Sequence, residues 1–115
     1  MPFIFEKLDT YQKALQFTKE IILFLKNLTG EPVLKDQFKR AVLSVPLNIA
    51  EGGGRFSKAE KRNFYIIARG SVNECVAILQ ILFELQLIGK PDYDKFYKTC
   101  EDLSKLLSAL IRSLE

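Results

Sequence analysis

If this 115-residue sequence carried an active site, Glu51 and Glu74 would be its acid–base groups, set among neighbouring hydroxyl and amide side chains. Little else in the sequence would help them. There is no His, which removes every Ser-His-Asp or Cys-His triad, every His general base and every His metal ligand. The two cysteines, Cys75 and Cys100, form no C-x-x-C and cannot fill a four-ligand zinc site in one chain. Both stand in apolar periodic runs, where a free thiol packs as a small hydrophobe. Gly52-Gly53-Gly54-Arg55 lacks the G-K-[ST] ending and the preceding strand of a phosphate-binding loop. The Glu-x-x-His pairs of di-metal bundles are missing as well. The sequence therefore predicts no catalytic residue, no metal and no cofactor.

A polar stripe is more informative. Gln37, Arg40, Ser44, Asn48, Glu51 and Arg55 follow one another at spacings of three or four, which places them along one helical face. Pro46 stands inside this segment. An interior proline deprives the Val42 carbonyl of its donor and costs about 3 kcal/mol or more. Ser44 or Asn48 could serve that carbonyl directly or through water. Ser71 and Glu74 interrupt an otherwise apolar stripe on the following helix, where an unpaired buried carboxylate would be costly. Two arrangements answer this: Glu74 pairs with Arg40, with Ser44, Asn48 or Ser71 completing the hydrogen bonds, or Arg40 and Glu74 each reach solvent separately.

The third group is cationic. Arg55, Lys58, Lys61, Arg62 and Arg69 lie around the start of the third helix, with Phe56, Phe64 and Tyr65 interleaved. Residues 35–69 hold eight basic and three acidic residues, whereas the remainder holds nine against eleven. The formal charge of +3 therefore belongs to the hairpin of the second and third helices. Such a patch could track phosphates. It could equally be a solvated helix face over core aromatics.

Helices must position all of these residues. Hydrophobic residues make up 48% of the chain and charged residues 27%, an ordinary globular balance for one domain. Asp9 through Gln12 has the form of an N-cap with Gln at N3, followed by Tyr11, Ala14, Leu15, Thr18, Ile21, Ile22, Leu25 and Leu28 at helical spacing. Thr29-Gly30 stops this helix, and Pro32 biases Glu31 away from the helical region. Phe38, Val42, Val45 and Ile49 stripe the second helix, which the three glycines end. Ser57 through Glu60 is a capping box for the third. Gly89 and Pro91 close it, and Asp92 caps a fourth with a near-heptad seam of Tyr93, Phe96, Cys100, Leu103, Leu107, Leu110 and Leu114. Helices at about 9–29, 33–52, 58–88 and 93–114, joined by short connections, predict an all-α fold, an up-down-up-down antiparallel four-helix bundle filling residues 1–115.

The third helix is apolar on more than one side. One stripe comprises Phe64, Ile67, Ser71, Glu74, Ile78, Ile81, Leu85 and Ile88. Tyr65, Val72, Cys75, Val76, Leu79, Leu82 and Phe83 lie largely outside it. A bundle helix needs only about a 100°-wide apolar face, so the excess predicts a homo-oligomer. Unbroken apolar runs such as Ile21–Leu25 fall far below the ~20 residues of a membrane span. No basic leader precedes the first apolar tract. A cytoplasmic protein without a membrane role is the expectation.

One segment resembles a known family. Gln37, Arg40-Ala41, Ser44-Val45-Pro46, Asn48-Ile49-Ala50-Glu51-Gly52, Arg55, Ser57, Ile67-Ala68, Gly70-Ser71 and Glu74 are similar to the pattern of the bacterial four-helix-bundle proteins known as 23S rRNA intervening-sequence proteins. These are related to the accessory variability protein of diversity-generating retroelements. The resemblance is dense over residues 37–74, and the first and fourth helices match in pattern alone. The chain departs from the family at Tyr11, where Trp is common, and in its triple glycine. The resemblance implies a barrel-like homopentamer with no known catalytic activity. The retroelement relative binds nucleic acid and a reverse transcriptase, so RNA, DNA or a protein partner are the candidate ligands. A charge of +3 is low for a dedicated nucleic-acid binder.

Overall fold

The computed structural model describes residues 3–115. Its described residues form four α-helices and no strand: α1 (Asp9–Asn27), α2 (Pro32–Gly53), α3 (Lys58–Glu84) and α4 (Lys90–Ser113), preceded by a 3-10 turn at Ile4–Lys7. Each helix packs on its sequence neighbours, and α1 closes the ring against α4. That leaves α1 and α3 on one diagonal of the bundle.

The boundaries differ from the sequence expectation where backbone geometry decides them. Leu8, in extended conformation, is the N-cap of α1, and Asp9 is already helical. Gln12 Nε2 donates to Glu6 O at 2.9 Å instead of closing a capping box. The helix stops at Asn27, so Gly30, at φ 73°, shapes the connection rather than the helix end. Glu31 takes a left-handed conformation, and Pro32 opens α2, where its missing N–H is not needed. The end of α3 comes at Glu84 rather than near residue 88, because Gln86 turns to φ 60°. Gly89, not Asp92, caps α4, and Pro91 lies within its first turn. The Ser57 cap holds: its hydroxyl accepts from Glu60 N at 3.1 Å.

The core draws on all four helices. Phe38, Val42, Val45 and Ile49 of α2 are fully buried, as their spacing predicts. In α1 the stripe is displaced by one flank: Phe17 is buried and Leu15 exposed. In α4, Phe96, Cys100, Leu103 and Leu107 are joined in the core by Ile111, which the near-heptad seam omits. For α3, which the sequence shows as apolar on more than one side, the structure decides which side is core. Its core face is Tyr65, Ala68, Ser71, Val72, Cys75, Ile78, Leu79 and Leu82. Ile67, Ile81 and Leu85, members of the first stripe, point outward. Each fully buried Leu, Ile or Phe contributes about 1.5–3 kcal/mol, so the inward set dominates.

No unbroken apolar run approaches bilayer length, yet one 18-residue window of α3 has the length and composition of a membrane span. Only 33% of that window is buried. In this fold it is a bundle helix with one face in the core and one outside.

Candidate functional site

The seam between α2 and α3 collects the polar stripe. Asn48 Nδ2 donates to Ser44 O at 2.8 Å and to Ser44 Oγ at 3.0 Å. Ser71 Oγ lies 2.7 Å from Ser44 Oγ and donates to Ile67 O at 3.2 Å. Three short polar side chains thus form one chain of hydrogen bonds between helices. Among the described residues no buried side-chain N or O lacks a partner. Ser71 tolerates its core position because its hydroxyl both donates and accepts.

The Arg40–Glu74 pair does not form. Arg40 Nε reaches Asp36 Oδ2 on its own helix at 3.1 Å, and both side chains are exposed. Glu74 accepts instead from Gln37 Nε2 across the seam. An amide satisfies the carboxylate without a second charge, and Glu74 is exposed on the outer side of α3. The helix pitch explains the choice: Gln37 stands on the same flank of α2 as Ser44 and Asn48, whereas Arg40 is rotated further outward.

The carbonyl that Pro46 leaves free is served from another helix. Thr18 Oγ1 lies 3.4 Å from Val42 O and 2.8 Å from Ala14 O. Ser44 and Asn48, expected to serve it, are occupied with each other and with Ser71. No local signal marks Thr18, which is 24 positions from Val42.

Most of the cationic residues are used within the chain. Arg55 pairs with Glu51 at 3.0 Å and Glu60 at 3.8 Å, and its guanidinium sits 4.8 Å from the Phe64 ring centre. Lys61 Nζ donates to Gly52 O at 3.4 Å and Gly53 O at 3.3 Å, capping the C-terminus of α2. Arg62 Nη1 donates to Leu114 O at 2.8 Å, at the end of α4. Arg69 Nη1 donates to Ser108 Oγ at 3.2 Å. Lys58 makes no such contact among the described residues, and beside it Phe56 is fully exposed. Of the interleaved aromatics, Tyr65 is core, and its burial pushes the phenol pKa up.

The glycines of the α2–α3 connection differ in role. A Cβ on Gly52 would stand 2.7 Å from Tyr65 Cε1, and one on Gly53 would stand 2.6 Å from Phe5 Cβ. A Cβ on Gly54 would meet nothing nearer than 3.7 Å. Gly52 and Gly53 are therefore contact residues.

Both thiols are buried and free. Burial pushes the Cys75 thiol far up, with Cys100 and Glu74 adding to it, and pushes Cys100 up to about 12. Neither is a thiolate near neutral pH. Among the described residues no group of three His, Cys, Asp or Glu side chains is arranged to hold a metal. The seam's short polar side chains hold α2 and α3 together through their own hydrogen bonds.

Comparison with known proteins agrees with this architecture. A solved structure from Bacteroides thetaiotaomicron VPI-5482, described as a protein of unknown function from the S23 ribosomal protein family, superposes with a TM-score of 0.86 at 27% identity. The alignment covers 90% of this chain and 95% of that one. No curated protein matches. Residues 6–109 match the family described as 23S rRNA-intervening sequence protein. With nine-tenths of its length so matched, and with the Ser44–Pro46–Asn48 and Ser71–Glu74 seam at its centre, the chain belongs to the 23S rRNA-intervening sequence protein family.

Proposed function

We propose that this chain is a non-catalytic, cytoplasmic, homo-oligomeric scaffold that associates through the outward face of α3. The observation that carries this reading is exposed apolar surface on a helix that already fills the core. Ile66, Ile67, Ile81 and Leu85 are 42%, 44%, 46% and 54% exposed. A face of that kind gains by leaving water against another protein surface. Five copies per assembly, the number implied by the family resemblance, is part of the proposal. Native mass measurement tests it: an oligomer of defined subunit number is expected, and a monomer at tens of micromolar overturns it.

A second reading has its own observation. Phe56 is fully exposed and stands between Arg55 and Lys58. An exposed aromatic flanked by cations suits stacking on an unpaired base beside a phosphate. Repeated around an oligomer, it would form a ring able to hold single-stranded RNA or DNA. Anisotropy titrations of labelled RNA and DNA test this. Binding is expected at low salt, falling steeply as salt rises, and weakened by Phe56→Ala and Lys58→Ala. Undetectable binding at low salt sinks this reading and favours a protein partner for the same scaffold.

A further inference from the structure

Contacts within the chain account for two of the three glycines that end α2. Gly52 is fixed by Tyr65 and Gly53 by Phe5. Gly54 has a φ of −91°, which any residue adopts, and a Cβ there would meet nothing nearer than 3.7 Å. Its missing side chain instead keeps a space open.

That space is a trough at one end of the bundle. Two hollows of about 540 Å³ and about 580 Å³ share Phe3, Phe5, Gly54 and Arg55 on their walls. Ile4, Phe56 and Lys61 help to line the first, and Leu47, Ala50 and Glu51 the second. Each has the size of a small-molecule site. The packing of Phe5 on Gly53 holds the 3-10 turn over the end of α2 and so raises the walls. Phe3, Ile4 and Leu47 are 70%, 76% and 62% exposed, and Phe56 is fully so. Four large apolar side chains from three separate segments thus meet water around one trough, where an apolar ligand gains by displacing that water.

The walls also define the ligand's chemistry. Among the described residues, the polar side chains lining the trough are Glu51, Arg55 and Lys61, and all are engaged. Arg55 pairs with Glu51 at 3.0 Å, and Lys61 bonds Gly52 O at 3.4 Å and Gly53 O at 3.3 Å. A peptide or a nucleobase seated there would strip water from its own N–H and C=O groups and find no side chain free to replace it. An alkyl chain has no such groups. Charge adds the head of the ligand. Residues 51–61 hold Arg55, Lys58 and Lys61 against Glu51 and Glu60, a surplus of one positive charge. The Lys61 ammonium has three protons, and its two bonds leave one to donate.

We propose that the trough binds a long-chain monocarboxylate, its alkyl chain lying over Gly54 against Phe3, Phe5 and Phe56 and its carboxylate at Lys61. This goes beyond the scaffold reading. It also differs from the base-stacking reading, which needs the exposed Phe56 ring and Lys58 but no hollow.

Calorimetric titration of the full chain with dodecanoate, kept below its micelle concentration, tests the site. A single molecule per chain is expected. It should bind about tenfold more tightly than dodecyltrimethylammonium, which has the same tail and the opposite charge, the difference being the worth of one charge-assisted hydrogen bond. Gly54→Leu fills the trough at a position with room for a Cβ, and circular dichroism verifies its fold. It should abolish dodecanoate binding. Phe56→Ser, at a fully exposed side chain that folding does not need, should weaken binding severalfold and serves should Gly54→Leu misfold. No binding by the parent, or equal binding of the two amphiphiles, overturns the proposal. So does undiminished binding by a folded Gly54→Leu or by Phe56→Ser. An RNA oligonucleotide that binds the parent, fails on Gly54→Leu and is not displaced by dodecanoate would give the trough to a nucleobase and overturn it too.

Discussion

The Thr18 hydroxyl of α1 stands 3.4 Å from Val42 O of α2, the carbonyl that Pro46 deprives of its helical donor. A defect in one helix is therefore answered from its neighbour. The same hydroxyl bonds Ala14 O at 2.8 Å, so Val42 receives the longer arm of a shared bond. This contact ties the proline of the family-like segment to a helix outside that segment.

Thr18→Val keeps the shape and removes the donor. It should lower stability by about 1 kcal/mol, the usual net worth of such a bond. Pro46→Ala returns a backbone N–H to Val42 O. In that background Thr18→Val should cost less, and the double-mutant cycle should show coupling of about 0.5 kcal/mol or more. Urea unfolding of the four proteins measures it. Strict additivity would mean that the hydroxyl does not serve the proline site.

The glycine run gives a sharper contrast. Gly52→Ala must displace the buried Tyr65 ring from 2.7 Å, and overpacking of this sort costs about 1–3 kcal/mol. Gly54 has φ −91°, and a Cβ there would make only ordinary contacts, 3.7 Å from Glu51 O and 3.8 Å from Ala50 O. Gly54→Ala should therefore be neutral or gain up to about 1 kcal/mol through the unfolded chain. Equal thermal midpoints for the two variants would contradict the contact.

The sequence announces helices well because period and punctuation are local. Phe38, Val42, Val45 and Ile49 point inward as their spacing requires. It leaves α3 without an orientation for a physical reason: when Ile and Leu occupy both sides, periodicity cannot say which side is core. The small residues Ala68 and Ser71 mark the true inward face, because α2 approaches closely there, as the Ser44–Ser71 contact shows. The polar seam is legible as a stripe, but its pairing is not. Gln37 rather than Arg40 meets Glu74, and Thr18 is found only once α1 is docked. The cationic group is legible by count alone, since whether a Lys or Arg faces solvent or a carbonyl depends on helix ends distant in sequence.

That distinction predicts unequal roles within the cationic group. Arg62 binds the last turn of α4 through Leu114 O, and Lys61 caps α2 through Gly52 and Gly53. Arg62→Ala should cost about 1 kcal/mol and Lys61→Ala about 0.5–1 kcal/mol. Lys58→Ala should lie within about 0.5 kcal/mol of the parent. Any loss of nucleic-acid binding in Lys58→Ala would then be read without a stability correction. A Lys58→Ala variant less stable than Arg62→Ala would reverse this assignment.

The two buried thiols set an alkaline limit. Cys75 and Cys100 keep their protons in the folded chain well above the pH at which free thiols ionise, because burial disfavours the thiolate. Above a pH of about 8.5 the unfolded chain releases those protons and the folded chain does not. The folded state then binds more protons, so stability falls as pH rises. Each thiol contributes a slope of about 1.4 kcal/mol per pH unit once its unfolded form is ionised. The contribution is fully present below the unfolded value and lost as pH climbs toward the folded one. Replacing both cysteines with Ala lowers stability at neutral pH by opening space in the core, yet should flatten the decline between about pH 9 and 10. Urea midpoints of parent and double variant across that range decide the matter. Parallel pH profiles would show that other groups, not the thiols, set the limit.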